Sequence, residues 1–202
     1  FRGLPEFPYA RYQSFGAYIG IFAFAIFAGR RHLGDVLRNI LHTSEQDKDA
    51  PISMRTAVLF IIAGMLYLVF FSVRAGMSIW VACSFFALYF ILSVGFTRIR
   101  AELGAPVHDL HFMGPERILV ISSGTRFLGK QNLALLSVFY WFNRAYRCHP
   151  MPHQLEGLKL SQQKRLKMRN VFPVLIISGI LGAICVWWIL LHAFYREGAL
   201  KG

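Results

Sequence analysis

Five imidazole and thiol donors fall within the polar part of this chain. In "NRAYRCHPMPHQLEG", residues 143–157, His149 and His153 lie four apart, with Cys148 beside the first and Glu156 three beyond the second. That is close to the spacing of a metal site built on one helix. Upstream, His108, Asp109 and His111 form a His-Asp-x-His run that could add ligands. Two prolines weaken the helical reading, because Pro150 and Pro152 separate the histidines and the residue before a proline is pushed out of the α region. Pro152 is instead expected to open a helix from His153 to about Arg169, with His-Pro-Met-Pro as a kinked entrance. No tight Cys or His pairing recurs at metal-site spacing. The plainer reading makes these residues helix caps and headgroup contacts, and a metal site requires the fold to bring His108 and His111 to His149 and His153. His192 sits in the last apolar block, where an ionisable side chain is a candidate axial ligand for a tetrapyrrole or else a hydrogen-bonding residue at an interface. Nucleophile-elbow, P-loop and dinucleotide patterns are missing, so the sequence makes no case for an enzyme and names no cofactor.

The elements that would position these residues are apolar blocks. Of 202 residues 55% are hydrophobic and only 16% charged, against about 25% charged in an ordinary soluble domain. Four blocks approach the roughly 20 residues needed to cross a hydrocarbon core: about 12–29, 54–73, 77–96 and 171–195. The expected fold is therefore all-α, an integral membrane protein with about four transmembrane helices in a single membrane domain, with residues 97–170 forming a cytoplasmic or interfacial region. Only "RAG" separates the second and third blocks, which forces an antiparallel hairpin. Leu33, Val36, Leu37, Ile40 and Leu41 recur at helical spacing after the first block, predicting an amphipathic helix along the membrane surface or a continuation of the first span. Two shorter islands, "ILVISSGTRFLG" and "LALLSVFYWF", are too short to cross unaided. They make either surface helices or a re-entrant hairpin turning at Gly124 to Gln131, and non-helical backbone at that depth must be shielded. Pro173 is placed in the first turn of the last span. Ser178, Gly179, Gly182 and Ala183 give that span small residues that let another helix approach. Cys83, Cys148 and Cys185 are too scattered for a disulfide framework and read as small fillers.

A net charge of +12 would suggest nucleic acid in a soluble protein, but no soluble basic domain remains once the spans are removed. Position decides. Arg30, Arg31, Arg38, Lys48 and Arg55 lie between the first two blocks and 12 more Lys and Arg lie in 97–170, leaving Arg2, Arg11, Arg74, Arg196 and Lys201 on the other side. A split of 17 to 5 puts both loops in the cytoplasm and both termini outside. The basic loops then suit anionic lipid. The chain opens on Phe1 with no leader pattern, so it is expected to be processed, truncated or part of something longer.

The stretch "AGMSIWVACSFFALYFILSVGFTRIRAELGAPVHDLHFMGP", then "FYWFNRAYRCHPMPHQLEGLKL" and the terminal "YREGA", resembles the C-terminal part of a group of large uncharacterised bacterial polytopic membrane proteins. That group is similar, more distantly, to the oligopeptide transporters. The resemblance covers about Tyr12 to Ala199 and implies a helical membrane protein with transporter ancestry but no substrate. Two functions follow as expectations. One is a subunit of a larger membrane complex that docks other membrane subunits and lipid; the other is a fragment of a secondary transporter in which Arg98, Arg100, Glu102, His108, Asp109, Arg144, Arg147, His149 and His153 line a cytoplasmic polar path. Metal or tetrapyrrole binding through the histidines is a third.

Overall fold

The structure, a computed structural model, describes residues 9–41, 52–104, 113–143, 146 and 149–198. Among them all regular structure is helical: α1 (Ala10–Ala28), α2 (Arg30–Leu41), α3 (Met54–Arg74), α4 (Ile79–Leu103), α5 (Pro115–Ser123), α6 (Thr125–Asn143), α7 (Pro150–Gln163) and α8 (Met168–Glu197). The chain divides into two compact units, one holding α1–α6 and the first turn of α7, the other the rest of α7 with α8.

Three of these helices, α3, α4 and α8, are long and apolar enough to cross a membrane, and a fourth crossing exists only if α1 and α2 count as one broken span. The predicted first span is thus the weak one. Its helix stops at Ala28, and Tyr12–Ala28 meets Arg30–Arg38 at a bend of 58°, so α2 is a separate helix and not a straight continuation of α1. The next two spans start within two residues of expectation, but α4 runs to Leu103, about two turns past Phe96. It stops at Gly104, whose left-handed φ of 62° lets its N–H reach the Arg100 carbonyl, a helix end that glycine makes cheap.

Inside these apolar helices hydroxyls turn back on their own backbone. Ser72 donates to the Leu68 carbonyl, Ser93 to Tyr89 and Thr97 to Ser93, so none is an unpaired polar group.

In the first unit α4 is the hub. Its buried face runs Val81, Ala82, Phe85, Phe86, Leu92, Ser93, Gly95, Phe96. From α3, Met65, Leu68 and Val69 pack on the near end of that face, and from α1, Phe15 and Tyr18 pack on the far end. Gly95 sets the α1 contact: a Cβ there would stand 3.2 Å from the Tyr18 carbonyl oxygen. The turn from α3 to α4 is closed by the Met77 N–H bonding to the Ser72 carbonyl at 2.9 Å.

In the second unit Gly157 of α7 faces Leu175 of α8, with a Cβ position 3.1 Å from the leucine methyl. α7 begins at Pro150, not His153, and ends at Gln163. Both prolines fit because they fall in its first turn, where a missing N–H costs nothing. Pro173 lies inside α8, which begins at Met168, so it removes a hydrogen bond that a first-turn proline would not. No residue of α8 is buried, and the small residues Gly179 and Gly182 have open space beside them.

A broken-helix hairpin and the polar cluster at its mouth

The two islands form one hairpin laid along α4. Three ring contacts fix its direction. Phe127, near its tip, stands 5.2 Å from Trp80 at the start of α4; Phe139 stands 5.2 Å from Phe85; and Tyr146, after α6, stands 4.6 Å from Phe96. α6 therefore runs beside α4 in the same direction, and α5 brings the chain back from the Phe96 end, where Met113 is buried with Leu92 and Tyr146. From Ser78 to Phe96 the path is about 27 Å at 1.5 Å per helical residue, close to the thickness of a hydrocarbon core.

The tip needs two breaks in the helix. Gly124 (φ 77°, ψ 150°) and Gly129 (φ 75°, ψ 162°) both occupy a region of backbone conformation open essentially to glycine alone. At the second break Asn132 covers one freed group, the Leu128 carbonyl. Its Nδ2 donates to the Leu128 carbonyl at 2.7 Å and to Ser78 Oγ at 3.0 Å, and its Oδ1 accepts the Ser78 N–H at 2.8 Å. One buried amide thus closes the broken end of the hairpin and caps the start of α4. Gln131 lies against Gly76, so the tip touches the α3–α4 turn.

At the mouth, on the Phe96 side, polar groups gather where sequence reading did not look. Asn143, almost fully buried, donates from Nδ2 to Glu116 Oε2 at 2.8 Å. Its Oδ1 and the Tyr146 hydroxyl are buried with no hydrogen-bond partner among the described residues, each a cost of roughly 1–3 kcal/mol if left so. Burial pushes the Glu116 carboxyl above its ordinary value, against the opposing effects of backbone N–H groups at the α5 start, Asn143 and Arg117. Burial also raises the Tyr146 phenol, with Tyr89 and Glu116 adding to the effect. Glu116 opens on its other side to a cleft of about 340 Å³ between α5 and α6, bounded by Arg117, Val120, Leu133, Ser137 and Tyr140.

His149 belongs to the edge of this cluster. It is buried, its ring 5.7 Å from Tyr89 and 6.0 Å from Tyr146, and its Nδ1 accepts the Met151 N–H at 3.3 Å. That bond is an N-cap for α7. His153 is exposed on α7 and His192 is exposed on α8. Among the described residues no three His, Cys, Asp or Glu side chains gather as a metal site. His108, Asp109, His111, Arg144, Arg147 and Cys148 lie outside the described residues. Arg98 and Glu102 form an i,i+4 ion pair on exposed faces of α4, worth at most a fraction of a kcal/mol; Arg100 lies between them, half-buried. Tyr146 is enclosed by Tyr89, Phe96 and His149, whereas Trp141 is 73% exposed. Cys83 and Cys185 are exposed and do not fill a core.

The sequence did carry a sign of Glu116: "GPE" at 114–116 places proline at the first helical position and an acid next to it, a helix start that attracts a carboxylate. Nothing local marks Asn143 or Tyr146, whose partners are distant in the chain.

A family model described as a family of unknown function (DUF6785) matches residues 2–202. No curated protein and no solved structure matches the chain.

Proposed function

The chain belongs to this family of unknown function, and on that premise we propose that it is a membrane-embedded helical subunit of a larger assembly with transporter-like ancestry. The observation that carries the reading is the α5–α6 hairpin. Backbone broken at two glycines is tolerated at membrane depth only when protein covers it, and discontinuous helices packed against a spanning helix are a recurring part of transporter architecture. Support for a larger assembly comes from α3, whose apolar surface is largely uncovered within the first unit, and from α8, whose apolar surface is uncovered within the second. The protein lies in a bacterial inner membrane with its basic loops in the cytoplasm, against anionic lipid, and its termini outside; the unequal distribution of Lys and Arg supports that orientation. The hairpin adjusts the charge partition. Arg126 and Lys130 sit near its tip, at the α3–α4 end, which moves the split from 17 to 5 to 15 to 7 and leaves its sign unchanged.

A second reading, an oligopeptide-transporter-like carrier, draws on the same hairpin. One preparation separates them. Solubilised in mild detergent, the protein component is expected to be heavier than one 23.1 kDa chain. A monomer of that mass which moves a solute across liposomes would overturn the subunit reading in favour of the carrier.

A further inference from the structure

We propose that Glu116, Asn143 and Tyr146 form a proton-binding site at the mouth of the hairpin, in which Glu116 takes up and releases a proton through the α5–α6 cleft. The site does not depend on the assembly or transport readings above, since it requires only the fold of the first unit.

The geometry suits two protonation states. As a carboxylate, Glu116 accepts from Asn143 Nδ2 at 2.8 Å and from backbone N–H groups at the start of α5. As an acid it needs an acceptor, and an asparagine amide is a partner that serves both states: turned over about its Cβ–Cγ bond, it presents Oδ1 where Nδ2 stood. A lysine or arginine at position 143 would hold only the anion. Asn143 is 1% exposed and Tyr146 2% exposed, and among the described residues neither the Asn143 Oδ1 nor the Tyr146 hydroxyl has a hydrogen-bond partner. Those two atoms give the cluster spare hydrogen-bonding capacity, which a network built only to hold an anion does not need.

Among the described residues the charged and titratable groups around Glu116 are few. Arg117 follows it on α5 with an exposed side chain, Tyr146 approaches from the segment after α6, Tyr89 faces Tyr146 from α4, and His149 stacks on Tyr146 and lies tilted against Tyr89. The Tyr146 phenol stays protonated, because its burial opposes ionisation. The step itself is balanced: hydronium in the cleft gives its proton to a Glu116 carboxylate oxygen, an O–H bond forms, the site loses one negative charge, and water remains in the cleft.

Glutamate labelled with 13C at Cδ, in protein reconstituted into lipid nanodiscs and titrated by NMR, tests this. The expected result is one resonance with a midpoint above 4.5, the ordinary glutamate value, that is missing in Glu116→Gln. In Asn143→Leu the midpoint moves further up, because a donor to the anion is lost. Far-UV circular dichroism identifies any variant that fails to fold, and the wild-type titration together with Asn143→Leu then carries the test alone. A wild-type Glu116 midpoint at or below 4.5, an elevated resonance that persists in Glu116→Gln, or no upward move in Asn143→Leu overturns the proposal.

Discussion

Single side chains decide how the hairpin holds together and how it responds to pH. Asn132 makes three hydrogen bonds to two elements, so Asn132→Leu strands the Ser78 N–H and the Leu128 carbonyl in a buried place. A loss of about 2–6 kcal/mol is expected, from roughly 1–3 kcal/mol for each of the two stranded groups. Ser78→Ala, which removes only an acceptor, is expected to cost about 0.5–1.5 kcal/mol, and unfolding in detergent micelles measures both. Glu116 gives the opposite kind of effect. Its folded value is raised, so its contribution to stability is fully present below the ordinary glutamate range and is lost as pH rises through the folded value. Glu116→Gln keeps the carbonyl acceptor at the start of α5 without the charge. Thermal unfolding is therefore expected to show the variant gaining on the wild type as pH rises, and a constant gap across pH would show that Glu116 is not the group responsible. Little of this was legible beforehand. The eye goes to histidines at metal spacing, yet His149 spends its Nδ1 on a helix cap, while Glu116, Asn143 and Tyr146 are separated by up to 30 positions and meet only because the hairpin folds back.

Helices were far more readable than sites, since apolar run length and turn residues are local properties. α3 and α4 were visible in outline because nothing charged interrupts Ala57 to Val73 or Met77 to Thr97. The islands were harder. Their length excluded an unaided crossing, but whether they lay on a surface or folded inward depends on packing against Phe85 and Phe86, which no local pattern records. Gly124 and Gly129 marked the turn region correctly, and the backbone there gives the reason. Gly129→Ala must place a Cβ at φ 75°, ψ 162° and is expected to cost about 1–3 kcal/mol. Gly64→Ala, in the middle of α3 with open space around it, is the control, and there alanine is expected to gain about 0.5–1 kcal/mol. Equal effects at the two positions would mean that the helix is not broken at Gly129. α7 and α8 depart from expectation for one reason: a proline does not by itself mark a helix boundary, since Pro150 and Pro152 sit within a first turn and Pro173 within a continuing helix.

For the molecule as a whole, the depth of the hairpin is the quantity to measure. Single cysteines placed at Ala75, Leu103 and Arg126, all exposed, in a background with Cys83, Cys148 and Cys185 changed to alanine, can be labelled from either face with a membrane-impermeant thiol reagent. Arg126→Cys is expected to react from the same face as Ala75→Cys and not from the face of Leu103→Cys. Labelling with Leu103→Cys would leave the hairpin on the surface. The contact between Asn132 and Ser78 carries a further implication for biogenesis. A loop that descends and returns leaves the parity of crossings unchanged, so α8 enters from the same face whether or not the hairpin has gone in. Its tip, however, carries Arg126, Lys130 and an interrupted helix, and the amide that covers the Leu128 carbonyl there is bonded to Ser78, the residue just before α4. On the proposed topology the hairpin has nowhere favourable to go until α4 is seated, and its entry would follow insertion of α4.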